Sequence, residues 1–77
     1  MNRNRRKLVR QAHDLLSEAR SILETVYDDE QDAYYNMPES LQYSERGERM
    51  SETVDMLSDM VSTLEDYETE LEEIIEG

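Results

Sequence analysis

Cysteine is missing from the chain, histidine and proline occur once each, and there are two glycines in 77 residues. Without cysteine there is no disulfide to brace a small fold and no thiolate to hold a metal, an absence that fits a reducing compartment. A single histidine leaves no second nitrogen ligand for zinc. No run of about 18 apolar residues occurs, so no segment is read as membrane-spanning. The opening MNRNRRK leads into LVRQAHDLL, which carries charge where a secretory signal needs an apolar stretch. A cytoplasmic protein is expected. A chain of this length forms one domain and buries a modest share of its surface, so a partner subunit is the expected source of added stability.

Positive charge is also missing from one region: no cation follows Arg49. The first ten residues hold Arg3, Arg5, Arg6, Lys7 and Arg10 and no acid. The remainder sets 20 acids against Arg20, Arg46 and Arg49, so a local charge of +5 sits beside −17 within a net −12. That balance argues against direct contact with nucleic acid or anionic lipid and in favour of a basic protein surface as partner.

What is present is helical periodicity. Leu8, Ala12, Leu15, Ala19, Ile22 and Val26 recur at a strict four-three spacing, the mark of a coiled-coil seam, with Val9, Leu16 and Leu23 as a flanking row. A second seam runs through Val54, Leu57, Val61, Leu64, Glu68, Leu71 and Ile75, flanked by Met60, Tyr67 and Ile74. The pattern predicts an all-α fold: a helix over about residues 3–35, a turn region over about 36–44 and a helix over about 45–75. At 1.5 Å per residue each arm spans roughly 45 to 50 Å. Equal arms suit an antiparallel, coiled-coil-like two-helix hairpin. The width of both stripes predicts that two hairpins pair into a four-helix-bundle homodimer. Antiparallel folding lays the basic start against the acidic finish, and intramolecular pairing of the two is expected. Glu68, the one charge on the second seam, either reaches solvent or pairs with Arg10 or Lys7 to fix register.

The pivot is YYNMPESLQYSERGERM, residues 34–50. Asn36 and Glu39 have capping-box spacing, Pro38 suits a first helical turn, and Ser44 offers an N-cap side chain to the second helix. Gly47 in a first turn is read either as a close backbone approach or as a frayed start. Tyr27, Tyr34, Tyr35 and Tyr43, with Met37 and Leu41, form either an apolar plug at the turn or an exposed binding tip.

Other chemistry is poorly supported. Asp28, Glu30, Asp32 and Glu39 fit positions of a calcium loop, but Ala33 stands where glycine is needed and Pro38 precedes the last ligand. His13 lies in no Glu-x-x-His motif, and abundant carboxylates are what any acidic helix surface displays. No catalytic residue, cofactor site or metal site is expected, and the chain is read as no enzyme.

The segment NMPESLQYSERGERMSETVDMLSDMVSTLED resembles short acidic proteins of phages and prophages of Firmicutes, in which a PES-type turn and a SERGE-type stretch lead into an acidic amphipathic helix. The likeness covers residues 28–66, about half the chain, while the first ten residues and Met56 and Met60 fall outside its pattern. It implies a helical hairpin of mobile-element origin. The charge of −17 outside the first ten residues sets the functional expectation, an inhibitor or adaptor that occludes a basic surface of a host nucleic-acid-binding protein by mimicking phosphates. Glu52, Asp55, Asp59, Glu65, Asp66, Glu72 and Glu73 would carry the charge, and Tyr34, Tyr35, Met37 and Tyr43 the anchoring. The alternative is a homo-oligomeric scaffold with no mimicry.

Overall fold

The computed structural model covers residues 1–77 and contains three helices and no strand: α1 (Arg3–Tyr35), the single turn α2 (Glu39–Gln42) and α3 (Glu45–Glu76). α1 and α3 pack antiparallel along their length in a rod of 58 × 14 × 14 Å. Boundaries follow local chemistry. Asn2 Oδ1 accepts the Arg5 N–H at 2.8 Å and opens α1; Ser44 Oγ accepts the Gly47 N–H at 3.2 Å and opens α3. Each satisfies one of the donors that a helix start leaves without a partner.

The turn departs from the expected capping box. Asn36 closes α1 through its backbone N–H to the Asp32 carbonyl, and Pro38 stands at the start of α2 with no side-chain bond. Gln42 does the bracing: its amide donates to the carbonyl of Met37 at 3.1 Å, and to that of Tyr34 at 3.2 Å, which also accepts the Met37 N–H at 3.1 Å where α1 stops. No residue in the turn needs a positive φ.

α3 presents the seam its sequence predicts: Val54, Leu57, Val61, Leu64, Glu68, Leu71 and Ile75 all face α1, half-buried or buried. α1 is turned away from its predicted seam by one residue. The row it faces inward is Val9, His13, Leu16, Arg20, Leu23 and Tyr27, whereas Leu8, Ala12, Leu15, Ala19, Ile22 and Val26 are exposed. The cause is electrostatic. Glu68 sits in the middle of the interface, and only the observed phase of α1 brings a cation, Arg20, against it. A buried carboxylate without such a partner costs several kcal/mol, more than exchanging one set of leucines for another.

Successive residues on an α-helix are turned by about 100°, so on two antiparallel helices the positions just before the inward rows share one broad side of the hairpin. That side carries Leu8, Ala12, Leu15, Ala19, Ile22 and Val26 from α1 beside Met56, Met60, Tyr67 and Ile74 from α3, all exposed. The positions just after the inward rows share the other side, with Ser17, Ser21, Glu24 and Gln31 facing Ser58, Ser62, Glu65 and Glu72. The rod is therefore two-faced. No hydrophobic residue is buried in the hairpin; only Gly47 and Glu68 are.

Candidate functional site

Acidic positions on α3 fall into line once the inward row is known. Glu45, Glu52, Asp59, Asp66 and Glu73 are each seven residues apart, and all are exposed on the edge facing away from α1. Seven residues of helix rise by about 10.5 Å, so the edge is a straight, evenly spaced row of carboxylates. Glu48 and Asp55 lie beside it. Glu45 is held by Arg49 at 2.9 Å, and the next four acids of the row have no cation within ion-pair distance.

Two acids grouped with these from the sequence behave differently. Glu72 is turned onto His13 Nε2 at 3.0 Å, and Glu65 lies 3.8 Å from Arg20 on the polar broad side. Glu52, Asp55, Asp59, Asp66 and Glu73 are exposed and have no cation within 4.0 Å.

The pairs between the helices form one network. Arg20 Nε donates to Glu68 at 2.5 Å, and its other nitrogens reach Glu68 at 3.4 Å and Glu24 at 2.7 Å. These bonds hold the Glu68 carboxyl below its ordinary range against the opposing effect of burial, and they hold the Arg20 guanidinium more firmly protonated than usual. Glu68 thus pairs with Arg20 rather than with Arg10 or Lys7, whose backbones lie too far toward the open end. His13 is bonded by Asp14 at 3.2 Å and Glu72 at 3.0 Å, which raises its affinity for a proton.

Nor do the N-terminal cations form the expected intramolecular pairs. Arg3, Arg5, Arg6, Lys7 and Arg10 have no carboxylate within 4.0 Å, although the hairpin brings the acidic end of α3 alongside. Glu73 lies on the outer edge, Glu70 on the apolar broad side, and Glu72 is occupied by His13. Arg6 Nε is covered and lacks a partner.

At the turn the aromatic residues divide. Tyr43 is 77% and Tyr35 68% exposed, while Tyr27, Tyr34 and Met37 are half-buried. Tyr34 and Tyr35 meet edge to face with ring centroids 5.7 Å apart. The cluster is no closed plug: one tyrosine layer supports another that faces outward. Asp28, Glu30 and Asp32 all lie within α1, where the helix points them in different directions, so they do not converge as calcium ligands. No group of three or more His, Asp or Glu is placed to hold a metal ion, and no helix is long and apolar enough to cross a membrane.

Comparison with protein-family profiles, with characterised proteins and with solved structures finds no match to this chain.

Proposed function

We propose that this chain is a non-enzymatic, acidic protein-binding module of the cytoplasm that acts as a homodimer and occludes a basic surface on a nucleic-acid-binding protein. The observation that carries this reading is the carboxylate row on the outer edge of α3. Carboxylates about 10.5 Å apart along one edge present regularly repeated negative charge of the kind that a phosphate-binding basic surface attracts. A helix pair braced by the Arg20–Glu68 network offers those charges without the ordering cost of a flexible acidic tail. Tyr35 and Tyr43 supply exposed aromatic anchors of the kind that dominate interface energies. The net charge of −12 makes direct nucleic-acid binding unfavourable. The resemblance of the turn to phage and prophage sequences is consistent with an inhibitor directed at a host nuclease or defence complex.

The test is capture of binding proteins from the native host, followed by competition of the purified complex with duplex DNA. Affinity is expected to fall steeply with salt, and DNA is expected to displace the module. Replacing Glu52, Asp59, Asp66 and Glu73 together by glutamine is expected to abolish binding, while Tyr35→Ala and Tyr43→Ala weaken it without changing the salt slope. Binding that ignores both salt and DNA would refute mimicry.

A second reading, a homodimeric four-helix scaffold with no mimicry, is favoured by the apolar broad side. Leu8, Leu15, Ile22 and Met56 are each more than half exposed there, and an apolar surface of that extent on a small rod marks a contact face. The two readings share the dimer and differ in whether the acidic edge has a target.

A further inference from the structure

The apolar stripe of α1 is bounded by a charge of each sign. Arg5 precedes Leu8 by three residues and Asp29 follows Val26 by three, so the four-three spacing continues through both ends. The stripe is symmetric about its centre near Ser17. Arg5 mirrors Asp29, Leu8 mirrors Val26, Ala12 mirrors Ile22 and Leu15 mirrors Ala19. All of these residues are exposed, and neither Arg5 nor Asp29 has an ion-pair partner within the chain.

We infer that the apolar stripe of α1 is covered by a second copy of this chain running antiparallel, with α1 laid on α1 about a two-fold axis at the level of Ser17. This rests on the homodimer proposed above and specifies its orientation. In an antiparallel helix pair, residues at equal distances on opposite sides of the axis form the contact layers. Leu8 then packs on Val26 of the other copy, Ala12 on Ile22 and Leu15 on Ala19. Each end of the stripe closes with Arg5 of one copy against Asp29 of the other. Charge is thus complementary at both ends of the stripe in this register.

The competing arrangement, with both hairpins pointing the same way, lays α1 on α3 of the second copy at equal heights. Those heights are set by the pairs His13–Glu72 and Arg20–Glu65. Leu15 would then meet Glu70, and Ile22 would meet Thr63, sealing a carboxylate against a leucine with no cation at hand. The antiparallel arrangement instead carries α3 over α3, where Glu70 comes level with Tyr67 of the other copy, whose hydroxyl can donate to it.

Arg5 and Asp29 are 24 residues apart on one helix, about 36 Å, and have no contact within a copy. A charge swap therefore reads the orientation directly. The experiment is sedimentation equilibrium on the full chain and on Arg5→Asp, Asp29→Arg and the double variant, with circular dichroism confirming the helical fold of each. Each single swap is expected to weaken the dimer about tenfold by setting like charges opposite one another, and the double variant to recover to within about threefold. In parallel, mixed Leu8→Cys and Val26→Cys chains are expected to form a disulfide-linked heterodimer, the native chain having no cysteine to interfere. A dimer in which the double variant is no tighter than the singles, and in which Leu15→Cys instead links to Glu70→Cys, would overturn the orientation while leaving the dimer. A wild-type chain that stays monomeric at every concentration would overturn both.

Discussion

Replacing Gly47 by alanine sets two known effects against each other, and the structure decides the sign. In an open helix interior the change stabilises by about 1 kcal/mol, because alanine is the better helix former. Gly47 has an ordinary helical backbone, so nothing in its φ opposes the substitution. The obstacle is packing. A β-carbon there would fall inside contact distance of the Leu41 and Gln42 carbonyl oxygens and 2.6 Å from the Gln42 carbonyl carbon. These are backbone atoms of the turn, so no side-chain rotation relieves the overlap. α2 must move away from α3, and Gln42 then loses its grip on the Tyr34 and Met37 carbonyls. Overpacking typically costs 1–3 kcal/mol, and each lost hydrogen bond about 1 kcal/mol. Set against the propensity gain, Gly47→Ala should destabilise by about 2 kcal/mol. For a domain of this size that lowers the thermal midpoint by roughly 8 to 16 °C. The assay is thermal unfolding by circular dichroism at one fixed protomer concentration, since association shifts the midpoint. Ser62→Ala, at an exposed site farther along α3, serves as the control for propensity alone. An unchanged or raised midpoint for Gly47→Ala would refute the close approach.

Three further expectations concern the polar network and the turn. Arg20→Leu should destabilise the hairpin more than the double change Arg20→Leu with Glu68→Leu, because the single change strands a nearly buried carboxylate and the double removes it; a double-mutant cycle in urea measures the coupling. Stability should peak in mildly acid solution. Glu68, held below the usual carboxylate range, contributes stability that is complete above about pH 4.5 and is lost as pH falls through its lowered value. His13, whose pKa is raised, contributes stability that is complete below about pH 6.5 and is lost as pH rises through its raised value. His13→Gln should flatten the alkaline limb alone, as followed by urea midpoints across pH. Gln42→Ala should cost about 1–2 kcal/mol by leaving the Met37 carbonyl without a donor and removing one of two bonds to the Tyr34 carbonyl, and a midpoint equal to wild type would count against the amide as the brace of the turn.

The helices, their ends and the site of the turn are legible in the sequence because each is fixed by local chemistry. A strict four-three spacing specifies a helix whatever it packs against. Ser44 caps the helix that follows it wherever that helix points. The inward face of α3 is legible for the same reason, since its seam has no rival of equal quality. The phase of α1 is not legible from spacing alone. Two apolar rows one residue apart compete there, and the stronger by count, Leu8 to Val26, loses the hairpin interface. The deciding residue lies in the other helix, 48 positions from its partner. Asn2 as the cap of α1 could have been found, because asparagine just before a helical run is a standard start. Gln42 bridging back to two carbonyls could not, since its role exists only once the turn has closed.

The loss of that row from the hairpin interface leaves α1 with two seams rather than one. Its polar-interrupted row, with His13 and Arg20, reads α3 through specific charges and accepts less apolar burial in return. Its uninterrupted row, with Leu8, Leu15 and Ile22, carries no polar group between Arg5 and Asp29 and so encodes no charge-specific contact along its length. Specificity within a chain needs little from the seam, because the turn already dictates which helix meets which. Specificity between chains has no such tether, and a bare leucine face would accept many partners. In the proposed pairing the two end charges supply what the tether would: they would disfavour slipped registers while leaving the middle of the stripe wholly apolar. The acidic edge of α3 faces away from both seams, so assembly of the pair leaves Glu52, Asp59, Asp66 and Glu73 of each copy in solvent. The proposed dimer and the proposed recognition of a basic target therefore do not compete for the same surface, and such a dimer would offer the target two edges.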